Sequence, residues 1–422
     1  MAPLEQLEID GDRAQRLLAL AHAKGLVWRS PNGRLLAACG QFRCLELAPG
    51  LAPRRLKSLA QELLLEMPDA GASEHPMLFF ALGFDPRTQP SPQPGGKRPT
   101  WPALKVWVPT LVLSQELPGA DFSVYQYGAD ESEEISSEEL SKAPFETSLY
   151  WEEDEDEASW GLRVRTLIDE IDGGALEKVV LARSVRASAP PQARFSSRAT
   201  FDALAKTHPD ASVFSLNHQG EAFLGATPER LVKLEAGRLS THALAGTFSS
   251  ADENSEPSEK LRHEHACVIS AIAEDLHPFL ADALSIPERP SRRKAGSVVH
   301  LETAISGDLK PGVDLLDLVD ALHPTPALAG APRQASLDYL QRSEAFDRGM
   351  YGGVIGWMSA RGEGEALVAI RSGHIERRGG AAHAYAGAGV VSGSNPHEEW
   401  LETQAKLQAF TSCLRLSSEP SL

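Results

Sequence analysis

The chain has 422 residues, of which 42% are hydrophobic, and a formal net charge of −17. This composition is typical of a globular protein with a sizeable core, and it offers no basic stripe for the phosphates of a nucleic acid. No apolar run approaches the roughly 20 residues of a membrane span. The acidic N-terminus lacks the apolar segment of a secretory signal, and the four cysteines have no metal-binding spacing. We therefore expect a soluble, cytoplasmic protein that binds neither nucleic acid nor membrane.

The N-terminal third, residues 1–128, is predicted to form a subdomain of mixed strands and helices. Leucines spaced three and four residues apart indicate an amphipathic helix, and uninterrupted apolar runs indicate buried strands. The predicted elements, in chain order, are a helix over 55–67, a strand over 75–84, a Pro/Gly-rich loop over 86–99 and a strand over 101–114.

Residues 129–158 are rich in acidic side chains, as in ESEEISSEEL and WEEDEDEASW. Like charges repel one another and stay solvated, so this segment is predicted to be a linker without a chemical role. The catalytic region is placed at 159–416, where short turns between strands favour antiparallel hairpins and helices are expected over 159–171, 255–280, 313–322 and 334–342. The predicted fold class is α+β, with large, mostly antiparallel sheets and helices on their outer faces.

The stretch AGAGVVSGSNP, which runs into HEEWLETQAK, is predicted to pass from a strand through a glycine-rich turn into a helix. Asn395 suits the N-cap and the following proline suits the first helical position. Glu399, Glu402 and Lys406 are spaced three and seven residues apart, so they share one helix face. Such a turn suits an anion and the carboxylates suit a cation, which favours a carboxylate substrate bound with Mg²⁺. Taken alone, the glycines are more typical of a tight turn than of a ligand loop, and the two glutamates are more typical of a solvated helix face.

Two other residues carry candidate acid–base chemistry. Lys178 lies within the apolar strand predicted over 177–187, EKVVLARSVRA; if it is buried it can act as a base, whereas on an exposed face it would be ordinary. Glu229, in GATPERL, follows a strand through a proline turn. A half-buried carboxyl there could donate a proton, and the alternatives are a helix cap or an ion pair with Arg230.

Further residues indicate a metal and an anion site. Glu264, on the long helix over 255–280, could share a hard dication with Glu402. The sequence HEH around Glu264 is not a zinc motif. Arg371, in the apolar strand VAIRS, needs an anionic partner if it is buried, either a structural carboxylate or a substrate, and Tyr351 could assist it.

Eight ordered motifs give the chain a strong resemblance to a known family: KVVLAR, GATPERL, ALAGT, EKLRHEH, HPTPALAG, YGGVIGW, VAIRS and AGAGVVSGSNPHEEWLETQAK. The chain resembles the chorismate-utilising enzymes, which include isochorismate synthases, salicylate synthases and the large subunits of anthranilate and aminodeoxychorismate synthases. The resemblance is strong over 160–412 and implies the chorismate-binding fold. Lys178 matches the base of isochorismate and salicylate synthases. Ala327 looks like isochorismate synthase, because salicylate synthases tend to have threonine there.

The resemblance implies a mechanism in which Lys178 activates a water that attacks C2 of chorismate while Glu229 protonates the departing C4 hydroxyl. It implies Mg²⁺ held by Glu264 and Glu402, with Glu399 contributing through water. The residues implied in substrate binding are Gly246, Thr247, His300, Ala327, Tyr351, Arg371, Gly387, Gly389 and Lys406.

Isochorismate synthase is the preferred interpretation, and a salicylate synthase that goes on to eliminate pyruvate is the alternative. A nitrogen-transferring synthase is disfavoured by Lys178 and by the lack of a fused glutaminase, so no obligate glutaminase subunit is expected. A non-catalytic chorismate-binding protein is disfavoured because both the candidate base and the candidate acid are present. A monomer is expected, and a role in siderophore, menaquinone or salicylate formation is left open.

Overall fold

The structure is a computed structural model that describes residues 5–7, 9–48, 56–65, 75–85, 101–127, 144–145, 149–249, 256–295 and 298–418. Within these ranges, the side chains of residues 5–7, 65, 76, 144–145, 246–249, 260, 264, 294–295 and 298 are not described. The Pro/Gly-rich loop predicted over 86–99 and most of the acidic linker lie outside the described residues.

The six predicted α-helices are present, with every predicted bound met within four residues, and two further α-helices of the described residues were not predicted. In chain order, the α-helices are α1 (Gly11–Lys24), α2 (Leu56–Leu65), α3 (Glu157–Asp172), α4 (Ser197–Thr207), α5 (Glu259–Leu276), α6 (Leu315–Leu322), α7 (Arg333–Ser343) and α8 (Pro396–Thr411).

Side-chain caps explain several of these ends. Asn395 accepts hydrogen bonds from the backbone N–H groups of His397 and Glu398, which confirms its predicted role as the N-cap of α8. Helix α5 is shorter than predicted at both ends. Ser258 caps its first turn, and a 3₁₀ turn containing Pro278, which has no N–H to continue the helix, follows its last residue.

The strands are numbered in chain order through the described residues. They are β1 (Glu5–Leu7), β2 (Leu26–Arg29), β3 (Leu35–Cys39), β4 (Arg43–Leu47), β5 (Pro76–Leu82), β6 (Leu104–Val108), β7 (Leu111–Gln115), β8 (Ser123–Gln126), β9 (Pro144–Phe145), β10 (Trp151–Glu153), β11 (Lys178–Ser188), β12 (Ala193–Phe195), β13 (Ser212–His218), β14 (Glu221–Thr227), β15 (Arg230–Glu235), β16 (Arg238–Ser249), β17 (Ser291–Ala295), β18 (Val298–Asp308), β19 (Gly330–Ala331), β20 (Val354–Ser359), β21 (Gly364–Val368), β22 (Ser372–Ile375), β23 (Ala381–Val391) and β24 (Leu416–Ser418).

Two large antiparallel sheets dominate the architecture. The 12-stranded sheet has the order β1-β8-β7-β3-β2-β13-β14-β22-β23-β11-β10, with β19 paired to β11 off this path. The 9-stranded sheet has the order β17-β18-β16-β15-β21-β20-β5-β6-β4, and β12, β24 and β9 form a small third sheet. The predicted α+β class with large antiparallel sheets is confirmed.

The strand predicted over 101–114 is wrong as a single element. It forms two strands, of which β6 belongs to the 9-stranded sheet and β7 to the 12-stranded sheet. The break falls at Pro109 and Thr110, and a proline cannot donate to a sheet ladder. The apolar pattern continues through the break because both strands are buried, so periodicity alone does not reveal it.

The two large sheets face each other across an aromatic core that includes Trp28, Phe79, Trp107, Phe214 and Phe223. Helices cover the outer faces, in agreement with the prediction. Strands from either side of residues 129–158 interleave: β2 pairs with β13, and β5 pairs with β20. The subdomain boundaries remain a prediction. Within the described part of the chain, no helix combines the length and the apolar character needed to cross a membrane.

Candidate active site

A cleft at the start of β11 brings together most of the residues singled out by the sequence. Its empty volume, including the part open to solvent, is about 750 Å³, within the usual range for small-molecule sites. Its lining includes these predicted residues: Lys178, Glu229, His300, Ala327, Tyr351, Arg371, Gly387, Gly389, Glu402 and Lys406.

Lys178 is buried, with 3% of its surface exposed, so the exposed-face alternative does not hold. It is the first residue of β11, where it lies opposite Ala331 of β19 and Val391 of β23. The Ser336 hydroxyl donates to its carbonyl oxygen over 3.1 Å. The backbone of Lys178 is therefore fixed on both sides, and its side chain lines the cleft.

Glu229 lies in the tight connection between β14 and β15. Its backbone N–H donates to Thr227 Oγ1 over 3.1 Å, and its carbonyl oxygen accepts from the Val368 N–H over 3.1 Å. Burial raises the pKa of the Glu229 carboxyl to about 7, against the opposing effect of nearby cations led by Lys406 and Lys178. Near neutral pH this carboxyl is therefore part protonated, the state that a proton donor requires.

The alternative role for Glu229, an ion pair with Arg230, is not the contact that the structure shows for this arginine. Arg230 Nη1 lies 3.9 Å from Glu365 Oε1 on the neighbouring strand β21. The Glu229 side chain therefore lines the cleft, whereas the Arg230 side chain is directed towards Glu365.

Arg371 does not lie within a strand, contrary to the prediction. It sits between β21 and β22 with a φ of +49°, in the left-handed region that non-glycine residues rarely occupy. Its Nη2 donates to His300 Nε2 over 3.0 Å. Burial and the Arg371 charge hold the pKa of His300 well below its usual value, so the imidazole is neutral and can accept. The cleft thus contains a buried guanidinium whose hydrogen bond, within the described part of the chain, goes to a neutral imidazole.

Tyr351 lines the cleft beside Gly387. It stacks on Tyr385 with ring centroids 5.4 Å apart, and burial raises its pKa to about 12. A Cβ on Gly387 would lie 3.1 Å from the Tyr351 hydroxyl and 2.9 Å from the Leu181 carbonyl oxygen. Glycine is therefore needed at 387 for the strand and the phenol to approach so closely.

Helix α8 contributes a carboxylate and an ammonium group to the cleft. Glu402 Oε1 and Lys406 Nζ lie 2.5 Å apart, and Lys406 Nζ also donates to the Gly387 carbonyl oxygen over 2.8 Å. Glu399, on the same helix face, is buried and does not line the cleft. The predicted face is therefore divided: only its C-terminal half faces the cleft.

Three other predicted residues lie outside what the structure describes in full. Gly246 and Thr247 belong to β16 and Glu264 to α5, but their side chains are not among the described ones. Among the described residues, no cluster of three or more His, Cys, Asp or Glu is placed to hold a metal ion. The Glu402 carboxylate supplies the oxygen donor that Mg²⁺ prefers, and such sites use one or two carboxylates together with substrate oxygens, so the donor chemistry fits this ion.

Arg348 is a cleft residue that the sequence analysis missed. Its guanidinium binds the Glu344 carboxylate with Nε and Nη2, over 2.7 and 2.5 Å. It also donates to the carbonyl oxygens of Leu328, over 3.0 Å, and Val180, over 2.5 Å. No helical spacing marks this pair in the sequence, because both residues lie beyond the end of α7. Arg348 joins β11 to the segment that carries Ala327.

We expect Arg348→Met to lower the free energy of unfolding by about 3–5 kcal/mol, because it leaves the buried Glu344 carboxylate without its cation. Chemical denaturation measures this loss. Arg342→Met is the matched control, because Arg342 is an exposed arginine near the end of α7, and it should change stability by less than about 0.5 kcal/mol. Equal stability of Arg348→Met and the wild type would contradict a structural role for the pair.

The sequence profile of the chorismate binding enzymes matches residues 18–415, nearly the whole chain. The chain belongs to this family. The resemblance seen in the eight motifs is thereby confirmed.

Curated relatives carry closely related descriptions. The chain is 38% identical over 264 residues to the salicylate biosynthesis isochorismate synthase of Pseudomonas aeruginosa, an alignment covering 60% of this chain and 54% of that protein. It is 30% identical over 366 residues to the isochorismate synthase MenF of Bacillus subtilis, an alignment covering 80% of this chain and 74% of that protein. The match therefore spans little more than half of the Pseudomonas relative's length.

Solved structures share the fold. A Bacillus anthracis protein described as a 2,3-dihydroxybenzoate-specific isochorismate synthase, DhbC, superimposes with a TM-score of 0.75 at 27% identity, covering 95% of this chain and 99% of that one. The menaquinone-specific isochorismate synthase MenF of Escherichia coli gives a TM-score of 0.76 at 22% identity, covering 97% and 94%. The second likeness concerns the fold alone.

Proposed function

We propose that the chain is an isochorismate synthase, an isomerase that converts chorismate to isochorismate. The observation that carries this proposal is that one cleft is lined by a buried candidate base, Lys178, and a buried candidate acid, Glu229. The descriptions of the relatives agree with it. Because water is the nucleophile in this reaction, the proposal needs no glutaminase subunit.

The proposed reaction uses one group for each proton transfer. Lys178 takes a proton from a water molecule as the water oxygen forms a bond to C2 of chorismate. The double bonds of the ring shift, the C4–O bond breaks, and Glu229 gives its proton to the departing hydroxyl, which leaves as water. One water enters and one leaves, so substrate and product are isomers.

The cations of the cleft are proposed to bind the two carboxylates of chorismate. Arg371 presents a fork-shaped donor set and is held by His300 and by its own strained backbone, so it needs little reorganisation when an anion binds. Lys406 adds positive charge beside Gly387. The Tyr351 hydroxyl lies at the same wall and stays protonated, so it can donate to a carboxylate.

Mg²⁺ is proposed to be held by Glu402 of α8 and Glu264 of α5, with Glu399 of α8 contributing through water. When bound, the ion would offset the charge of the ring carboxylate. A cation held by Glu402 would weaken its ion pair with Lys406, and Lys406 would then be available to a substrate carboxylate.

We expect Glu402→Gln to raise the Mg²⁺ concentration needed for half-maximal activity by at least about tenfold, because one charged ligand becomes neutral. Glu264→Gln should weaken the Mg²⁺ dependence most. Titrating activity with Mg²⁺ at saturating chorismate measures both effects. Glu398→Gln is the matched control: it lies on the same helix, is exposed, and should leave the titration unchanged. A wild-type titration for both the Glu402 and the Glu264 variant would rule out the ligand roles.

Product analysis tests the function itself. Purified protein is incubated with chorismate and Mg²⁺, with and without ammonium, and the products are separated by chromatography. Isochorismate as the sole product is expected. Salicylate with pyruvate would identify a salicylate synthase and make Ala327 an unreliable guide, and anthranilate would overturn the role proposed for Lys178.

A further inference from the structure

A second, much smaller cavity adjoins Glu229. Glu229 lines both cavities and so forms part of the wall between them. The small cavity is bounded by the start of β15, the middle of β16 and apolar side chains of α5, including Val268 and Ile272. The space open to the centre of a water molecule is about 10 Å³, close to the minimum that one buried water requires.

Polar atoms facing this cavity lack protein partners. His242 Nε2, Thr325 Oγ1 and Arg230 Nε are buried and have no hydrogen-bond partner among the described residues. Both His242 and Thr325 are more than nine-tenths buried, with 8% and 4% of their surface exposed. Native proteins rarely leave such groups unsatisfied, and a buried water is the usual solution where several of them meet.

We propose that this cavity holds one ordered water that hydrogen-bonds the Glu229 carboxyl from the side facing away from the substrate. The inference rests on the proposed function, because it concerns the group assigned as the proton donor. It makes Thr325 and His242 positioning residues that act on Glu229 through the water.

The donors and acceptors of the cavity match the four hydrogen-bond positions of a water. Arg230 Nε–H and the Thr325 hydroxyl can donate to the water oxygen. The two water protons then go to His242 Nε2 and to the Glu229 carboxylate. Burial, with the nearby charges of Arg293 and Arg230, lowers the pKa of His242 to about 3, so its ring is neutral and has an acceptor nitrogen.

This water becomes important after Glu229 has given up its proton. The carboxylate left behind is buried and needs hydrogen-bond donors. The charged groups that favour it are Lys406, Lys178, Arg371 and Arg293, and Tyr351 and His300 face the same cleft. Chorismate brings two carboxylates to these cations, so their help to Glu229 falls when substrate is bound. The water lies behind Glu229 and is not drawn away by the substrate.

Thr325→Val tests the proposal, because it keeps the shape of the side chain and removes the hydroxyl. A crystal structure of the wild type is expected to show a water within hydrogen-bond distance of Thr325 Oγ1, His242 Nε2 and Glu229, and the variant to lack it. The carboxylate then loses a charge-assisted hydrogen bond, so the alkaline limb of the kcat–pH profile should move up by about one pH unit. Thr325→Ser should restore the limb.

Ile272→Val is the matched control, since it changes the packing of the same cavity without removing a polar group. Its alkaline limb should not move. An empty cavity in the wild-type crystal structure, or an unshifted limb in Thr325→Val, would overturn the proposal. A protein that makes no isochorismate would instead defeat the proposed function, and the crystal structures would still decide whether the water is present.

Discussion

Lys178→Gln is expected to abolish isochorismate formation while chorismate still binds. Glutamine keeps a polar side chain, one atom shorter than that of lysine, but cannot accept a proton from water. Loss of a general base typically lowers the rate by about 10²–10⁴-fold. Chromatographic measurement of kcat gives the loss of turnover, and isothermal titration with chorismate and Mg²⁺ gives the binding. The carboxylate-binding groups on Arg371 and Lys406 are untouched, so the dissociation constant should change little.

Lys105→Gln provides a matched control for this variant. Lys105 is also a buried strand lysine, with 3% of its surface exposed, but it pairs with Glu46 over 2.9 Å and does not line the cleft. Its replacement should reduce stability and leave kcat unchanged. Normal turnover by Lys178→Gln would remove Lys178 from the mechanism, and equal losses of activity in both variants would indicate damage to the fold.

Glu229→Gln is expected to remove proton donation to the leaving hydroxyl and to lower kcat by a similar factor. In the wild type, the pKa of about 7 predicts that kcat falls as the pH rises through about 7, because the protonated carboxyl is the active form. The residual activity of the variant should lack this decline. A kcat–pH profile between pH 5.5 and 9, at saturating chorismate, measures both effects.

Glu155→Gln is the control for the pH profile. Burial also raises the pKa of Glu155 to about 7, but this residue lies near Arg163 and outside the cleft. Its removal should leave the alkaline decline in place. A decline that disappears in Glu155→Gln and persists in Glu229→Gln would assign the titration to the wrong carboxyl and defeat the proposed acid.

The same raised pKa has a consequence for stability. The folded protein holds the Glu229 proton more tightly than the unfolded chain, whose carboxyl titrates near 4.5. Stability from this group is therefore present below pH 4.5, falls as the pH rises towards about 7, and is constant above that. Denaturation at pH 5 and pH 8 should show a smaller difference for Glu229→Gln than for the wild type.

Sequence patterns were sufficient for the elements whose signals are local. Asn395 was recognisable as a cap because its side chain acts on backbone N–H groups only two and three residues away. Lys178 was recognisable as a possible base because it begins a strand of apolar residues, and only the structure decided that it is buried. The order of the eight motifs assigned the chain to one family, which local patterns alone could not have done.

The remaining features depend on contacts between distant residues. The partner of Arg371 is His300, 71 residues earlier, and nothing in the apolar pattern of VAIRS indicates a left-handed backbone at the arginine. The role of Arg348 depends in part on the carbonyl group of Val180 in β11, which lies 168 residues earlier in the chain. The cavity behind Glu229 exists only because α5 packs against β16, and no spacing in the sequence records that packing.

The long ladder between β11 and β23 also bears on how the protein folds. Lys178 lies opposite Val391, and the ladder joins segments separated by about half of the chain. Contacts of such long range make folding slow, because the loop between them must close first. During synthesis, this edge of β11 stays unpaired until β23 has emerged, and unpaired edges are prone to associate with other chains. The cleft is therefore assembled late, and aggregation competes with folding before catalysis becomes possible.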